Sequence, residues 1–437
     1  MPTLQPQQFR QAMTVPTPAE SDAPWDFADD DAWVEYISDL KEDGALDIWN
    51  TDVRPSLTAK PDGTQPLDRV RAALKEVQTL VVRDGRGDAV IDPVTREPMR
   101  EPRFLNRDKA LEMMAACAIA QTNLVFLGPP GTAKSLLVRS FAQSLGVRPI
   151  DVPIKDEDKL ARLAEVPGQP RQRRRLFEYL LTRFTTPEEL FGGTDINVLL
   201  KSGAFCRRTT GMLPQADIVF LDEIFKANSA ILNSLLSLTN ERIFYNMGQA
   251  FKVNLAFTVG ASNETPDESE LGALYDRFPI RVPCHPIPED EDEAAKLVDA
   301  GHRFHSYGSL GNKSLRISRK ACLNDIRLLS KVLLGGAYGG TTAFPKDNPE
   351  FRKAFLKMFL TIRREYGVSD RTPSLLLRVC RALALLEKAE KLSYRHLRAW
   401  AYVAPKFEET GRLQKMVHSM IVGWDPGAQT DSLFDRA

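Results

Sequence analysis

Four short apolar runs set narrow limits on what this chain can fold into: "NLVFL", "DIVFL", "NLAFTVGAS" and "IRVPC". Each is continuously apolar rather than alternating. A strand of that kind is covered on both faces, as in a parallel sheet with helices above and below it. Helical stretches stand around the first run, "RDKALEMMAACAIAQ" before it and "SLLVRSFAQSL" after it. Strand and helix in alternation predict a doubly wound α/β domain. Past Pro288 the pattern changes. "SRKACLNDIRLLSKVLL", "PEFRKAFLKMFLTIRREY" and "TPSLLLRVCRALALLEKAE" all carry helical periodicity and predict a smaller, all-helical domain. The expected division is an acidic, partly disordered extension over 1–66, a lead-in over 67–104, the α/β core over 105–288, a helical domain over 289–405 and a tail over 406–437.

Composition excludes several function classes. Lys plus Arg and Asp plus Glu both total 58, so the net charge is zero. A strongly basic nucleic-acid binder is not expected, although a local basic groove stays possible. The five cysteines are scattered and form no C-x-x-C pair, which fits reduced thiols and no zinc site. There is no signal-peptide pattern, and no segment is apolar for long enough to cross a bilayer. The expectation is a cytoplasmic protein without membrane insertion.

Three local features carry weaker signals. Trp33, Ile37 and Leu40 share one helical face inside the acidic extension, either packing on the protein itself or docking a partner. Arg171, Arg173, Arg174 and Arg175 form the most basic run, read with its surroundings as a solvated surface helix or as a contact for an anionic client or partner. His302 and His305 have helical spacing, but nothing nearby completes a metal set, so they read as surface histidines.

The chemistry concentrates at strand ends. "LGPPGTAKS", Leu127 to Ser135, follows the first strand and opens a helix. That is the context of a phosphate-binding loop, G-x-x-x-x-G-K-[ST], except that Ala133 precedes the lysine. Backbone N–H groups of such a loop surround phosphate oxygens at the positive end of the following helix. The loop residues Gly128, Pro129, Pro130, Gly131, Thr132, Ala133, Lys134, Ser135 and Leu136 are therefore assigned to ATP binding. Lys134 is expected to reach the β- and γ-phosphates and Ser135 to bind Mg²⁺. Ala133 is tolerable if its position already lies in the first helical turn, since alanine prefers helical dihedrals, and would be fatal to the loop only if that residue needed a positive φ.

The run "DIVFLDEI" ends in Asp222 and Glu223. Ligands of open α/β sheets bind at the carboxyl ends of strands. Asp222 is expected to hold Mg²⁺ through a water, and Glu223 to orient and deprotonate the attacking water. A third strand, ending in "GASNE", brings Asn263, whose amide can hydrogen-bond that water or the γ-phosphate.

These residues carry a family resemblance. "GPPGTAKS", "FEYLLTRFTTPEELFGG", "TTGMLPQADIVFLDEIFKANSAILNSLLSLTNERIF" and "GASNE" resemble the MoxR branch of the AAA+ ATPases, especially its RavA-type subgroup. The resemblance runs from about Leu105 to Pro288 and more weakly to about Pro405. It implies an AAA+ P-loop NTPase core, with a parallel sheet flanked by helices, followed by a small all-helical lid domain. "ALYDRF" is similar to the segment bearing an arginine finger, which puts that role on Arg277; a local ion pair with Asp276 is the plain alternative. "YGVSDRTPS" looks like the second sensor and puts that role on Arg371. The sequence supports Arg371 separately. Ser369 or Asp370 can cap a helix with Pro373 in its first turn, leaving a cation at the positive end of a helix dipole, where a nearby anion would explain it. "TDINVLLKSGAFCRRTTGMLP" resembles the family's insertion, expected as a helix and hairpin facing a ring pore, with Arg207 and Arg208 contacting phosphate, a neighbour or a client. Lys226 also matches and is expected near a subunit interface. The implied function is an ATP-hydrolysing subunit of a hexameric homo-oligomer. It would remodel or activate a client, namely a partner protein with a von Willebrand factor A domain. A nucleic-acid-translocating motor and an ATP-binding structural scaffold are the alternatives.

Overall fold

The computed structural model describes residues 64–81, 90–93, 95–149, 175–203, 205–246, 249–265, 276–286, 290–292, 294–298, 321, 323–335 and 348–425. The amphipathic segment at Trp33–Leu40, the cluster at Arg171, Arg173 and Arg174, and His302 and His305 lie outside these residues.

In chain order, helix α1 (Thr64–Gln78) leads into a small antiparallel pair, β1 (Thr79–Val81) and β2 (Arg100–Pro102). Helix α2 (Asp108–Ala120) precedes β3 (Leu124–Leu127), and α3 (Lys134–Ser144) follows it. Next come β4 (Arg148–Pro149), β5 (Arg175–Leu180), the short helices α4 (Pro187–Phe191) and α5 (Ile196–Ser202), and β6 (Ile218–Asp222). Helix α6 (Ser229–Leu236) leads to a hairpin, β7 (Ile243–Asn246) and β8 (Gln249–Lys252). Strands β9 (Phe257–Ser262) and β10 (Ile280–Pro283) complete the sheet. Helices α7 (Leu323–Gly335), α8 (Pro349–Tyr366), α9 (Thr372–Leu386) and α10 (Thr410–Trp424) follow, with 3₁₀ turns over Tyr394–Tyr402 and Phe407–Glu409 between the last two.

The six-stranded sheet has the order β10-β3-β9-β6-β5-β4, and every pairing in it is parallel. Its burial follows from the two-residue period of a strand. Leu124 and Phe126 of β3 and Ile218 and Phe220 of β6 enter one core. Val125, Leu127, Val219 and Leu221, one residue out of phase, enter the other. Both faces are thus apolar, which is why these runs lack alternation.

One expectation fails here. Of the arginine cluster read with its surroundings as a solvated surface helix, only Arg175 lies among the described residues, and it opens β5, "RLFEYL", paired with both β4 and β6. Leu176 is buried in one core and Phe177 in the other. Arg175 is no free surface charge. It hydrogen-bonds Gln215 Oε1 at 2.8 Å, and its backbone N donates to Asp217 Oδ2 at 3.0 Å.

The insertion between α4 and β6 is also corrected in part. Its helix α5 forms, with Asp195 Oδ1 accepting from the backbone N of Asn197 and Val198 at 3.0 and 3.2 Å. In place of a hairpin within the insertion, the described residues have a single antiparallel bridge between Thr194 and Arg207, and the hairpin of this region is β7–β8. Asn246 binds both backbone groups of Arg207, donating to its O at 3.2 Å and accepting from its N at 2.9 Å. Gly192 must remain glycine: its φ is +91, and a Cβ there would lie 1.9 Å from Arg208 O.

The C-terminal helices pack their buried residues into the first core. Helix α2, with ten buried residues, lies between the sheet and α7 and α9. A helix apolar all round requires that kind of enclosure. Charged ties fix the arrangement. Arg69 of α1 meets Asp325 of α7 at 2.6 Å, and Arg327 of α7 meets Asp217 ahead of β6 at 2.6 Å. Leu413, Val417 and Ile421 of α10 are buried in the same core, although this span read as a tail in the sequence.

At the centre of these contacts Arg398 is 1% exposed and bridges Glu112 of α2 and Glu387 just after α9, both at 2.8 Å. His396, fully buried, accepts at Nδ1 from the Ser393 backbone N at 2.9 Å, so its proton sits on Nε2 facing Glu387 Oε2 at 3.1 Å. Burial, with Arg398 and Arg395 adding to it, pushes His396 down to about 3. The folded state therefore binds fewer protons than the unfolded chain between that value and the ordinary value of 6.5. Stability supplied by neutral His396 is complete above pH ~6.5 and falls on acidification toward pH ~3, visible as a declining denaturation midpoint that H396F flattens. Arg398→Ala removes the cation from two carboxylates and is expected to cost about 3–5 kcal/mol, read from the shift in denaturant midpoint.

Candidate active site

The loop after β3 opens with Gly128 in a conformation that only glycine accommodates. Its φ is +149, and a Cβ would lie 2.3 Å from Cys284 O at the end of β10. Gly128 N donates to Ser262 O of β9 at 3.1 Å, and Cys284 N donates to Leu127 O at 2.7 Å. Three strand ends are thereby locked at one edge of the sheet. Pro129 is half-buried, Pro130 and Gly131 are exposed, and Thr132 Oγ1 returns a hydrogen bond to Pro129 O at 3.0 Å. Leu136 packs against the first core from the opening turn of α3.

Ala133 departs from expectation. It is the N-cap of α3 with φ 61 and ψ 22, a left-handed conformation, not a residue of the first helical turn. Alanine there costs roughly 1–2 kcal/mol relative to right-handed backbone. The loop forms despite that cost because its neighbours are fixed on both sides. Lys134, the next residue, is only 7% exposed. Its Nζ donates to Gly128 O at 2.6 Å, Pro129 O at 2.9 Å and Asn263 Oδ1 at 3.0 Å. Desolvation lowers the Lys134 pKa, while Cys284, Asp222 and Glu223 act in the opposite direction.

Asp222 at the end of β6, Glu223 just after it and the amide after β9 join this ammonium. Ser135 Oγ donates to Asp222 Oδ2 at 3.3 Å. Asn263 Nδ2 donates to Glu223 Oε1. Asn263 is thus oriented by chemistry: only its oxygen suits the ammonium and only its nitrogen suits the carboxylate. Glu223 has φ 53, a second left-handed residue in the site, and its Oε2 lies 3.3 Å from Lys226 Nζ. Strained backbone of this kind clusters at functional sites. The hydroxyl and carboxylate oxygens of Ser135 and Asp222 are the hard donors that suit Mg²⁺. Left-handed backbone at Gly131 and Ala133 turns the loop before a helix N-terminus, where phosphate is favoured. The residues present therefore fit a metal-bound triphosphate.

Arg277 and Arg371 do not join this group. Arg277 precedes β10, and its backbone O accepts from Asn123 Nδ2 at 3.4 Å, ahead of β3. Arg277 and Asn123 lie at the amino ends of β10 and β3, about 15 Å of strand length from the loop. Arg371 stands exposed as the N-cap of α9. The cap expected from Ser369 or Asp370 is not made. Asp370 instead pairs with Arg363 at 2.7 Å, and Ser369 Oγ lies 3.3 Å from Thr372 Oγ1. Pro373 does occupy the first turn. Arg207 is held within the chain, by Glu188 at 3.1 Å and Gly192 O at 2.9 Å, whereas Arg208 is exposed.

Sequence reasoning missed Arg107. It is 7% exposed and donates to Thr132 O at 3.2 Å and His285 O at 2.6 Å, tying the back of the loop to the end of β10. The available signal was the one used for Arg371: a cation at the start of a helix, where the dipole disfavours it.

A family model described as the MoxR domain in the MoxR-vWA-beta-propeller ternary systems matches residues 94–154 and 169–325. Two uncharacterized proteins of Methanocaldococcus jannaschii are similar. One is 39% identical over 213 residues, 49% of each chain; the other is 41% identical over 201 residues, 46% of each chain. A structural protein of Acidianus two-tailed virus is 31% identical over 159 residues, 36% of this chain and 25% of that protein. The chain thus spans about half the length of the first two relatives and less of the third. A crystal structure from Cytophaga hutchinsonii, described as a candidate ATPase, superposes with a TM-score of 0.55 at 13% identity, covering 83% of this chain and 96% of that one, and so shares the fold. Among the described residues no helix is long and apolar enough to cross a membrane.

The strain at Ala133 is testable. Ala133→Gly should leave nucleotide binding intact and the thermal midpoint equal or higher. Ala133→Val, β-branched in left-handed backbone, should lower the midpoint and abolish binding of a fluorescent ATP analogue.

Proposed function

We propose that this chain, which belongs to the MoxR family of AAA+ ATPases, hydrolyses ATP as one subunit of a homo-oligomeric, hexameric ring and uses the cycle to remodel or activate a partner protein. The observation that carries this reading is the convergence of the Lys134 ammonium, the Asn263 amide and the Glu223 carboxylate from three strand ends beside the Ser135–Asp222 pair.

Each side chain has a task in that reaction. Lys134 exchanges its bonds to Gly128 O and Pro129 O for oxygens of the substrate's β- and γ-phosphates. Ser135 and Asp222 would hold Mg²⁺, which when bound neutralises charge on the phosphates. Asn263 positions the attacking water, and Glu223 accepts its proton. The water oxygen bonds to the γ-phosphorus as the bond to the bridging oxygen breaks, and ADP leaves with the electron pair.

Arg277 completes the site in the adjoining copy. At the opposite edge of its own sheet it is too distant to serve its own loop, whereas a finger in trans supplies the missing cation. Arg371 acts as the second sensor from the N-terminus of α9. The partner proposed is a protein with a von Willebrand factor A domain, supported by the family description, which names such systems. The setting proposed is the cytoplasm.

Glu223→Gln should lower turnover by about 10²–10⁴-fold while ATP binding persists, checked by phosphate release and nucleotide titration. Glu223→Gln and Arg277→Ala chains, each inactive alone, should recover roughly a quarter of parental turnover when mixed at equal amounts, because random neighbours reconstitute one site in four. No recovery on mixing would place the arginine's action within one chain. A pull-down with the Glu223→Gln protein and ATP should retain a von Willebrand factor A protein.

A further inference from the structure

We infer that Lys226 is a positioning residue that restrains Glu223, holding the carboxylate oxygen that must receive the proton until the lysine is drawn away. The inference rests on Glu223 being the base, as proposed above. Four polar groups form one line across the site: the Lys134 ammonium, the Asn263 amide, the Glu223 carboxylate and the Lys226 ammonium. In this line Asn263 occupies Oε1 of Glu223, so Oε2 is the oxygen left for water. Oε2 is buried and makes no hydrogen bond among the described residues, yet Lys226 Nζ stands 3.3 Å from it. The two observations agree on a contact of charge rather than an aligned hydrogen bond, and such a contact is readily exchanged.

The backbone dictates the pairing. Glu223 is left-handed, and the Lys226 N–H donates to Glu223 O at 2.9 Å, which closes a 3₁₀ turn over Ile224–Lys226. That turn brings side chains three residues apart onto one side. The partners differ in exposure. Lys226 has 42% of its side chain in solvent, against 12% for Glu223. The lysine is therefore the end of the line that another molecule can reach. An acidic side chain of the adjoining copy, set against Lys226 on assembly, would compete for the ammonium and leave Oε2 open to water. A half-exposed ion pair adds little to folding, so the contact is dispensable for stability.

The test measures the low residual ATP turnover that remains without a neighbour's arginine, with protein diluted below assembly and the enzyme-independent background subtracted, together with the Kd for a fluorescent ATP analogue and the thermal midpoint. Lys226→Ala should raise kcat by about two- to fivefold, the factor an ion pair of this exposure can withhold, with Kd and midpoint unchanged. Lys226→Arg, which keeps the cation, should turn over at the parental rate. Glu223→Gln combined with Lys226→Ala should be inactive, which shows that the gain passes through Glu223. Lys226→Gln replaces the alanine variant if the latter does not fold. An unchanged or lower kcat in a folded, ATP-binding Lys226 variant overturns the restraint. Turnover persisting in Glu223→Gln overturns the assignment of the base instead, so the two failures are distinguishable.

Discussion

A single buried ammonium organises the catalytic edge of this protein. Lys134 Nζ is shared among two carbonyls of its own loop and the amide oxygen of Asn263 on another strand. A cation removed from water needs several oxygens, and here the chain supplies them by folding the loop back on itself. The demand explains the rest of the loop. Gly128 must bring its carbonyl inward, which requires a backbone that a Cβ would obstruct. Ala133 must turn left-handed so that Lys134 can start the helix pointing back. The same carbonyls are weaker partners for an ammonium than phosphate oxygens, so the arrangement is stable without being final.

The sheet makes that edge possible. Its strands are parallel and buried on both faces, so all carboxyl ends lie on one side, and residues far apart in sequence meet there. Helix α2 buries ten of its residues because α7 and α9 cover what the sheet leaves open. The C-terminal helices are consequently built into the first core. Arg398 secures them by satisfying one carboxylate from each layer.

Much of this was legible in the sequence because burial on both faces removes charged letters from the middle of strands β3, β6 and β9. Strand β5 was not. It begins after a run of arginines and carries Glu178 and Tyr179, and Glu178 serves an ion pair with Arg139 of α3 at 2.6 Å. Charge near the sheet's margin disguised a strand as a surface helix. In the site, Ser135, Asp222, Glu223 and Asn263 were readable because strand ends announce themselves by a change from apolar to polar. The conformation of Ala133 was not, since helix propensity describes an isolated turn and tertiary contacts overrode it. Arg107 escaped notice because its partners are backbone carbonyls, which leave no mark on composition.

The close approach at Gly128 has a mechanical meaning. Strand β10 runs for four residues between the turn that holds Arg277 and the carbonyl of Cys284 that presses on the phosphate loop. The arginine end and the contact with Gly128 thus belong to one short strand, fastened to β3 along its whole length.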